Sequence, residues 1–356
     1  MKRYLVIRLS AIGDVAMTLP MLYAIAEAHP EDSFTLLTQP FLTSMLFNSP
    51  QNLEAMAIDI KHEEKRLWGL MRYATRLGNE PFDMVIDLHD VLRSKYIRWM
   101  LGLRGIKNIH IRKPRKERKQ LIARPPHKIC APIPTMLSVY KDAFERAGIS
   151  VPDKLCTMKV SSDINIVIQH LYPEYKAWSQ RPWVGIAPFA AHESKMYYLS
   201  KMENVVAALG EGDECQVFLF GAKGKEKEVL DQWARKYNNV FSLAGKLSLS
   251  EELAIIERLE CMVSMDSANM HLASLVGTRC ISVWCATHPY AGFLGYGQRL
   301  EDCIQIDDLE CRPCSIFGNK KCYRHDYACK KGIQPSDILN KVQDILKEEK
   351  STKIKE

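Results

Sequence analysis

Along the chain, short unbroken apolar runs alternate with longer stretches in which apolar residues return every three or four positions. The first pattern predicts buried strands and the second amphipathic helices. In the first half, residues 4–7, 34–37 and 84–88 read as strands. Helices are predicted over 15–25, over 41–47 behind Pro40, over 67–77, through Trp99, Met100 and Leu103, and over 136–147 before Gly148. The second half repeats the alternation, with strands at 184–187, 217–220, 261–265 and 280–284 and helices at 205–209, 229–237 and 253–259 between them. Pro335 and Ser336 then open an amphipathic helix through Ile338, Leu339, Val342, Ile345 and Leu346. Strands separated by helices imply parallel βαβ units, because a parallel neighbour needs a long crossover. Two such series in 356 residues exceed one hydrophobic core. The expectation is an α/β chain of two doubly wound parallel sheets. Residues 1–165 form the first domain, 166–182 a linker, 183–334 the second domain, and 335–356 a closing helix with a frayed tail.

The opening unit focuses the chemistry. Between the first predicted strand and helix lies Arg8-Leu9-Ser10-Ala11-Ile12-Gly13-Asp14, where strand end and helix start meet at the edge on which open α/β sheets bind ligands. The helix dipole keeps a carboxylate ionised there, so Asp14 reads either as a proton acceptor or as a cap for orphan backbone N–H groups. The predicted strand over 84–88 leads to a second such edge, with His89, Asp90, Arg93 and Lys95 following it.

Composition narrows the class. With 47% apolar and 26% charged residues the chain is that of a soluble globular protein. Arg8 and Asp14 interrupt the first apolar run, and Pro40, Asn48 and Pro50 break the longest uncharged stretch, so neither a signal peptide nor a membrane-spanning helix is expected and a cytoplasmic location is. The net charge of +7 is concentrated between Arg104 and Lys128, where ten cations face only Glu117. Such a segment either attracts polyanions, whether nucleic acid, an anionic membrane or a phosphorylated substrate, or is a solvated loop. Eleven cysteines without a secretion signal suggest reduced thiols. Cys311, Cys314, Cys322 and Cys329 cluster, and are read either as a structural zinc site or as free or redox-active thiols.

In the second half, Asp266-Ser267-Ala268-Asn269-Met270-His271 ends a predicted strand and opens a helix, whose free N–H groups at Ser267 and Ala268 form an anion site suited to a diphosphate. His271 is either a ligand to phosphate oxygen or a core residue. Lys195, in the loop after the strand at 184–187, is able to offset charge on a departing diphosphate, or is a surface lysine. Glu226 and Glu228, after Gly221 and Gly224, read as first-turn helix charge. No Walker A motif, no G-x-G-x-x-G at either sheet start and no suggestively placed Asp-x-Asp occurs, which argues against nucleotide hydrolysis, dinucleotide-dependent redox chemistry and a catalytic metal, and no cofactor is expected.

Arg8 to Val15 with Thr18-Leu19-Pro20, together with the Asp266 to His271 cluster, resembles the signatures of the lipopolysaccharide heptosyltransferases, glycosyltransferase family 9. The resemblance implies the GT-B architecture of two Rossmann-like domains and inverting, metal-independent transfer of a sugar, most often heptose from ADP-heptose, to the inner core of lipopolysaccharide. It implies Asp14 as base, Lys195 at the leaving group, and Glu226, Asp266, Ser267, Ala268 and His271 at the donor. Ser10, Arg93, Lys95, Arg112 and Lys113 are the acceptor residues expected, at the cytoplasmic face of the inner membrane. Ala190 and Ala191 stand where the family carries hydroxyl residues, and Thr287-His288-Pro289 where it carries Thr-Asp-Pro. Two rivals stay open: a Rossmann-type oxidoreductase, and a non-catalytic basic module for nucleic acid or membrane.

Overall fold

The computed structural model describes residues 1–160, 164–173, 181–212 and 214–353. The chain forms two compact units, one of residues 1–114 and 134–158, the other of 115–133 and 159–356. The expected linker at 166–182 lies partly outside the described residues, as does the end of the expected tail.

In the first unit β1 (Arg3–Ile7), β2 (Ser33–Thr38), β3 (Leu53–Ala57), β4 (Met84–Asp87) and β5 (Lys107–His110) form one sheet in the order β3-β2-β1-β4-β5, all neighbours parallel. Helices α1 (Ile12–Ala28), α2 (Leu67–Leu77) and α3 (Leu92–Gly102) make the crossovers. Helix α1 is buried along most of its length because it packs between the sheet and α5 (Met136–Arg146), with α4 (Arg115–Leu121) lying between α3 and α5 in sequence. From β1 the chain moves outward to β2 and β3, then returns to lay β4 on the other side of β1. The loops after β1 and β4 therefore flank the point where strand order reverses, which is where a doubly wound sheet opens a crevice.

The second unit repeats this design. After α6 (Ile164–Leu171) come β6 (Trp183–Ala187), α7 (Leu199–Glu211), β7 (Gln216–Leu219), α8 (Lys225–Ala234), β8 (Val240–Ser242), α9 (Leu249–Arg258), β9 (Cys261–Met265), α10 (Ala268–Val276), β10 (Cys280–Val283) and β11 (Cys303–Ile304). The sheet order is β11-β10-β9-β6-β7-β8, again all parallel, and its reversal falls between β6 and β9. The short α11 (Ala328–Gly332) precedes α12 (Pro335–Lys353), which packs Ile338, Val342, Ile345 and Leu346 into this unit's core.

Four strands were not foreseen: β3, β5, β8 and β11. Each is an edge of its sheet, short, and pairs on one side only. An edge strand needs no continuous apolar run, and Lys107-Asn108-Ile109-His110 is mostly exposed. The helix expected behind Pro40 is a 3₁₀ segment, Pro40–Met45. Part of the basic segment, 115–133, packs with the second unit. Leu121 joins Ala291 and Ile316 there, the Arg118 guanidinium lies 5.3 Å from the Phe293 ring centre, and the Lys128 ammonium donates to the carbonyls of Cys311 and Pro313. Those cations are committed to packing, not to a solvated loop.

Candidate functional site

At the reversal point of the first unit, β1 runs into Arg8, Leu9 and Ser10, and α1 starts after the N-cap Ala11, to which Ser10 is joined by a cis peptide bond. Asp14 is the third residue of the helix, not its N-cap. Its carboxylate folds back to accept from the Ala11 backbone N–H at 3.1 Å, one half of a capping box, the other half being impossible for an alanine side chain. The same oxygen takes a 2.5 Å ion pair from Arg8 Nη2. Arg8 is nearly closed to solvent, at 6% side-chain exposure against 25% for Asp14. Its Nη1 donates to the Leu88 carbonyl at 2.6 Å and its guanidinium lies 5.8 Å from the Tyr140 ring centre. Arg8 is thereby tied to the end of β4 and to α5, and presents Asp14 at the helix start.

The loop after β4 is built by Asp87. Its buried carboxylate accepts from the backbone N–H groups of His89 and Asp90, both at 2.9 Å, and Asp90 takes a left-handed conformation with φ 48°, which an Asp tolerates better than most residues. Lys113 donates to the Asp90 carbonyl at 3.1 Å, and the Lys95 ammonium stands 3.5 Å from the Asp90 carboxylate. His89 lies within the fields of Arg8, Asp14, Lys113 and Asp90. Burial, reinforced by the Arg8 cation, pushes its pKa down to about 3, so the imidazole is neutral at physiological pH. Its Nδ1 is buried and has no hydrogen-bond partner among the described residues.

At the reversal point of the second unit the polarity is opposite. Lys195 follows β6 in a 3₁₀ turn, Glu193–Lys195, and its ammonium is 2.8 Å from a carboxylate oxygen of Asp266, at the end of β9. Here the carboxylate is the buried partner, at 4% side-chain exposure against 17% for the lysine. The turn is held from behind by the cysteine-rich loop: Ser194 donates through its hydroxyl to the Gly318 carbonyl, and Lys330 donates to the Glu193 carbonyl at 2.6 Å. Ser267 is the N-cap of α10, but its hydroxyl turns to Ser264 at 3.1 Å instead of capping the helix. The first-turn N–H groups from Ala268 onward thus lack a side-chain cap beside Lys195 and Asp266, an arrangement suited to an anion.

The sequence profile of glycosyltransferase family 9 (heptosyltransferase) matches residues 70–321. The chain belongs to glycosyltransferase family 9. It is 22% identical over 296 residues to the lipopolysaccharide core heptosyltransferase OpsX of Haemophilus influenzae, covering 81% of this chain and 80% of that one. A family 9 glycosyl transferase from Veillonella parvula superposes with a TM-score of 0.76 over 98% of each chain at 19% identity. The E. coli ADP-heptose lps heptosyltransferase II gives 0.71 over 98% of this chain and 100% of its own, at 18% identity. The fold is GT-B.

Within this family 9 glycosyltransferase the expected site residues divide. Ser10, Asp14, Lys95 and Lys113 are gathered at the first unit's reversal point, whereas Arg93 and Arg112 are exposed. Lys195, Asp266, Ser267 and Ala268 are gathered at the second. His271 is buried one turn inside α10. Glu226 is half-buried in the first turn of α8, its carboxylate accepting from the Ala222 backbone N–H at 2.8 Å. His288 accepts through Nδ1 from the Tyr290 backbone N–H at 3.1 Å. Arg312, whose importance no motif signalled, is buried and donates to the carbonyls of Cys285, Ile306 and Thr287, fixing the loop after β10.

Cys311, Cys314, Cys322 and Cys329 all line one cavity of about 20 Å³ beside Arg312. Among the described residues, no three His, Cys, Asp or Glu side chains stand together as a set able to hold a metal ion. All four are free thiols.

Proposed function

We propose that this chain is an inverting, metal-independent transferase that moves heptose from ADP-heptose to a hydroxyl of the lipopolysaccharide inner core. The observation that carries the reading is the Asp14 carboxylate, partly open to solvent at the start of α1 and fixed by a buried arginine. The acceptor oxygen attacks the anomeric carbon as the bond from that carbon to the diphosphate oxygen breaks. The bonding pair leaves with the diphosphate and the hydroxyl proton passes to Asp14. A single displacement inverts the anomeric centre. A carboxylate paired with arginine is a weak base, but the hydroxyl becomes acidic as its oxygen bonds to a carbon carrying oxocarbenium charge.

Charge on the departing diphosphate falls to Lys195, oriented by Asp266, and to the uncapped start of α10, with His271 and Glu226 assisting at the nucleotide. Ser10, Lys95, Lys113, Arg93 and Arg112 serve the acceptor's hydroxyls and anionic groups. These cations and the helix dipole take the role a divalent metal plays elsewhere, and the sequence offers no Asp-x-Asp in its place. Names and folds of relatives support the sugar and the acceptor class: one acts on the lipopolysaccharide core and another is an ADP-heptose enzyme. No described helix is long and apolar enough to cross a membrane, and we place the protein peripherally at the cytoplasmic face of the inner membrane.

The test is ADP release from ADP-heptose in EDTA, with and without an inner-core acceptor, followed by assignment of the product's anomeric configuration. Acceptor-dependent release with inversion is expected. Retention, or a strict requirement for added Mg²⁺ in folded protein, would overturn the mechanism, and preference for another sugar nucleotide would overturn the donor.

A further inference from the structure

Helices α2 and α3 cross in the same direction over one face of the first sheet and pack against each other. Each hides one side in the core through Leu70, Ala74 and Leu77 on α2 and Ile97 and Leu101 on α3. The opposite sides mix exposed apolar residues with cations. On α3, Leu92 and Trp99, with Leu103 just past its end, follow at spacings of seven and four and so form one stripe. Leu92 is 87% exposed, and Trp99 and Leu103 are also open to solvent. At the start of α2, Leu67 is exposed and Trp68 is 78% exposed. Of the twelve large apolar side chains exposed among the described residues, these two helices and their ends carry five. Water-facing tryptophan and leucine at this density mark a surface that meets something less polar than water.

The charge around them indicates what that is. Neither helix contains an acidic residue, whereas Arg72, Arg76 and Arg93 are exposed on them and Arg104 follows α3. Two helices that carry cations, no acids of their own and exposed tryptophans are complementary to an anionic lipid headgroup layer. The basic segment does not offer this combination. Leu121 and Ile122 there are turned inward onto Ala291 and Ile316, leaving cations without an exposed apolar stripe.

We propose that the α2–α3 face docks on an anionic phospholipid bilayer, with Trp68, Leu92, Trp99 and Leu103 entering the headgroup region and Arg72 and Arg76 pairing with phosphates. The inference deepens the proposed function and rests on it for the presence of a lipid-borne acceptor. Leu92 and Arg93 start α3 at the same sheet edge as Asp14, so docking would bring that edge to the membrane surface.

Flotation of the full chain with vesicles of phosphatidylethanolamine and phosphatidylglycerol tests it against vesicles of phosphatidylcholine. Binding to the anionic vesicles is expected, with a loss of about tenfold or more in Trp68→Ser/Trp99→Ser. A loss of roughly fivefold per cation is expected in Arg72→Gln/Arg76→Gln. Circular dichroism and ADP binding should be unchanged in both. No binding by the wild type, equal binding by the tryptophan variant, or loss on Lys116→Gln/Lys119→Gln instead would overturn the proposal. So would a dimer in sedimentation velocity that the tryptophan substitutions dissociate, which would assign the face to a second copy. Transfer to detergent-dispersed acceptor, measured alongside, separates this failure from failure of the enzymatic reading: docking can fail while transfer persists, and the reverse.

Discussion

The two units carry the same device with its sign reversed. Each holds an ion pair where its strand order turns back, one member after the first strand of the unit and the other on a neighbouring element. In the first unit the buried member is the cation, Arg8, and the more exposed one is Asp14; in the second the buried member is the anion, Asp266, and the more exposed one is Lys195. A charge taken out of water costs several kcal/mol unless it is paired, so the buried partner is fixed in place and in turn fixes its neighbour. The exposed partner is the one a substrate can reach. One unit therefore presents a carboxylate and the other a cation, the two kinds of group that the displacement proposed above would use as base and as leaving-group partner.

This contrast predicts a graded set of effects. Asp14→Asn keeps an oxygen for the Ala11 N–H but cannot take a proton, and transfer should fall by roughly two to four orders of magnitude while ADP affinity stays near wild type. Transfer near the wild-type rate would make Asp14 a cap only. Lys195→Met should lower kcat by roughly 10²–10³-fold and also strand the buried Asp266. Joining it to Asp266→Leu should restore the thermal midpoint without restoring transfer, since replacing both members removes the unpaired charge. If transfer also returns, Lys195 is not the acting member. Arg8→Met should cost up to about a hundredfold through misplacement of Asp14, with ADP binding unaffected. A larger loss than in Asp14→Asn would mean that Arg8 itself meets the substrate.

The smallest effect concerns stability. His89 has its folded pKa pushed down to about 3 from an ordinary 6.5, chiefly by burial and then by Arg8. The unfolded chain therefore binds more protons between those two values, so this contribution is complete above about pH 6.5 and is lost as pH falls toward 3. His89→Asn should flatten the acid side of a denaturation midpoint plotted against pH over that window. An unchanged slope would show that His89 titrates normally.

Much of this arrangement was legible in the sequence, for identifiable reasons. Buried central strands such as 261–265 are unbroken apolar runs, and Asp14 and Asp266 stand where a run gives way to a helix. Edge strands escaped because they need only half a hydrophobic pattern, as in Leu53-Glu54-Ala55-Met56-Ala57. Burial of a charged side chain leaves no local signal either. Arg8 was visible as part of a motif, but that it is the closed member of the pair depends on Leu88 and Tyr140, which are 80 and more residues away. The same holds for Arg312, whose burial depends on the carbonyls of Cys285, Thr287 and Ile306.

The most direct test of the paired-charge account is chemical rescue of Asp14→Ala by formate. That variant leaves Arg8 buried beside a space the size of the lost carboxylate. If Arg8 holds and Asp14 acts, added formate should occupy the space, pair with Arg8 and restore transfer in a saturable way, while Asp14→Asn, whose amide fills the same space, should gain nothing. Failure of formate to raise transfer in Asp14→Ala that is folded and still binds ADP would contradict the claim that a carboxylate held by Arg8 is the base.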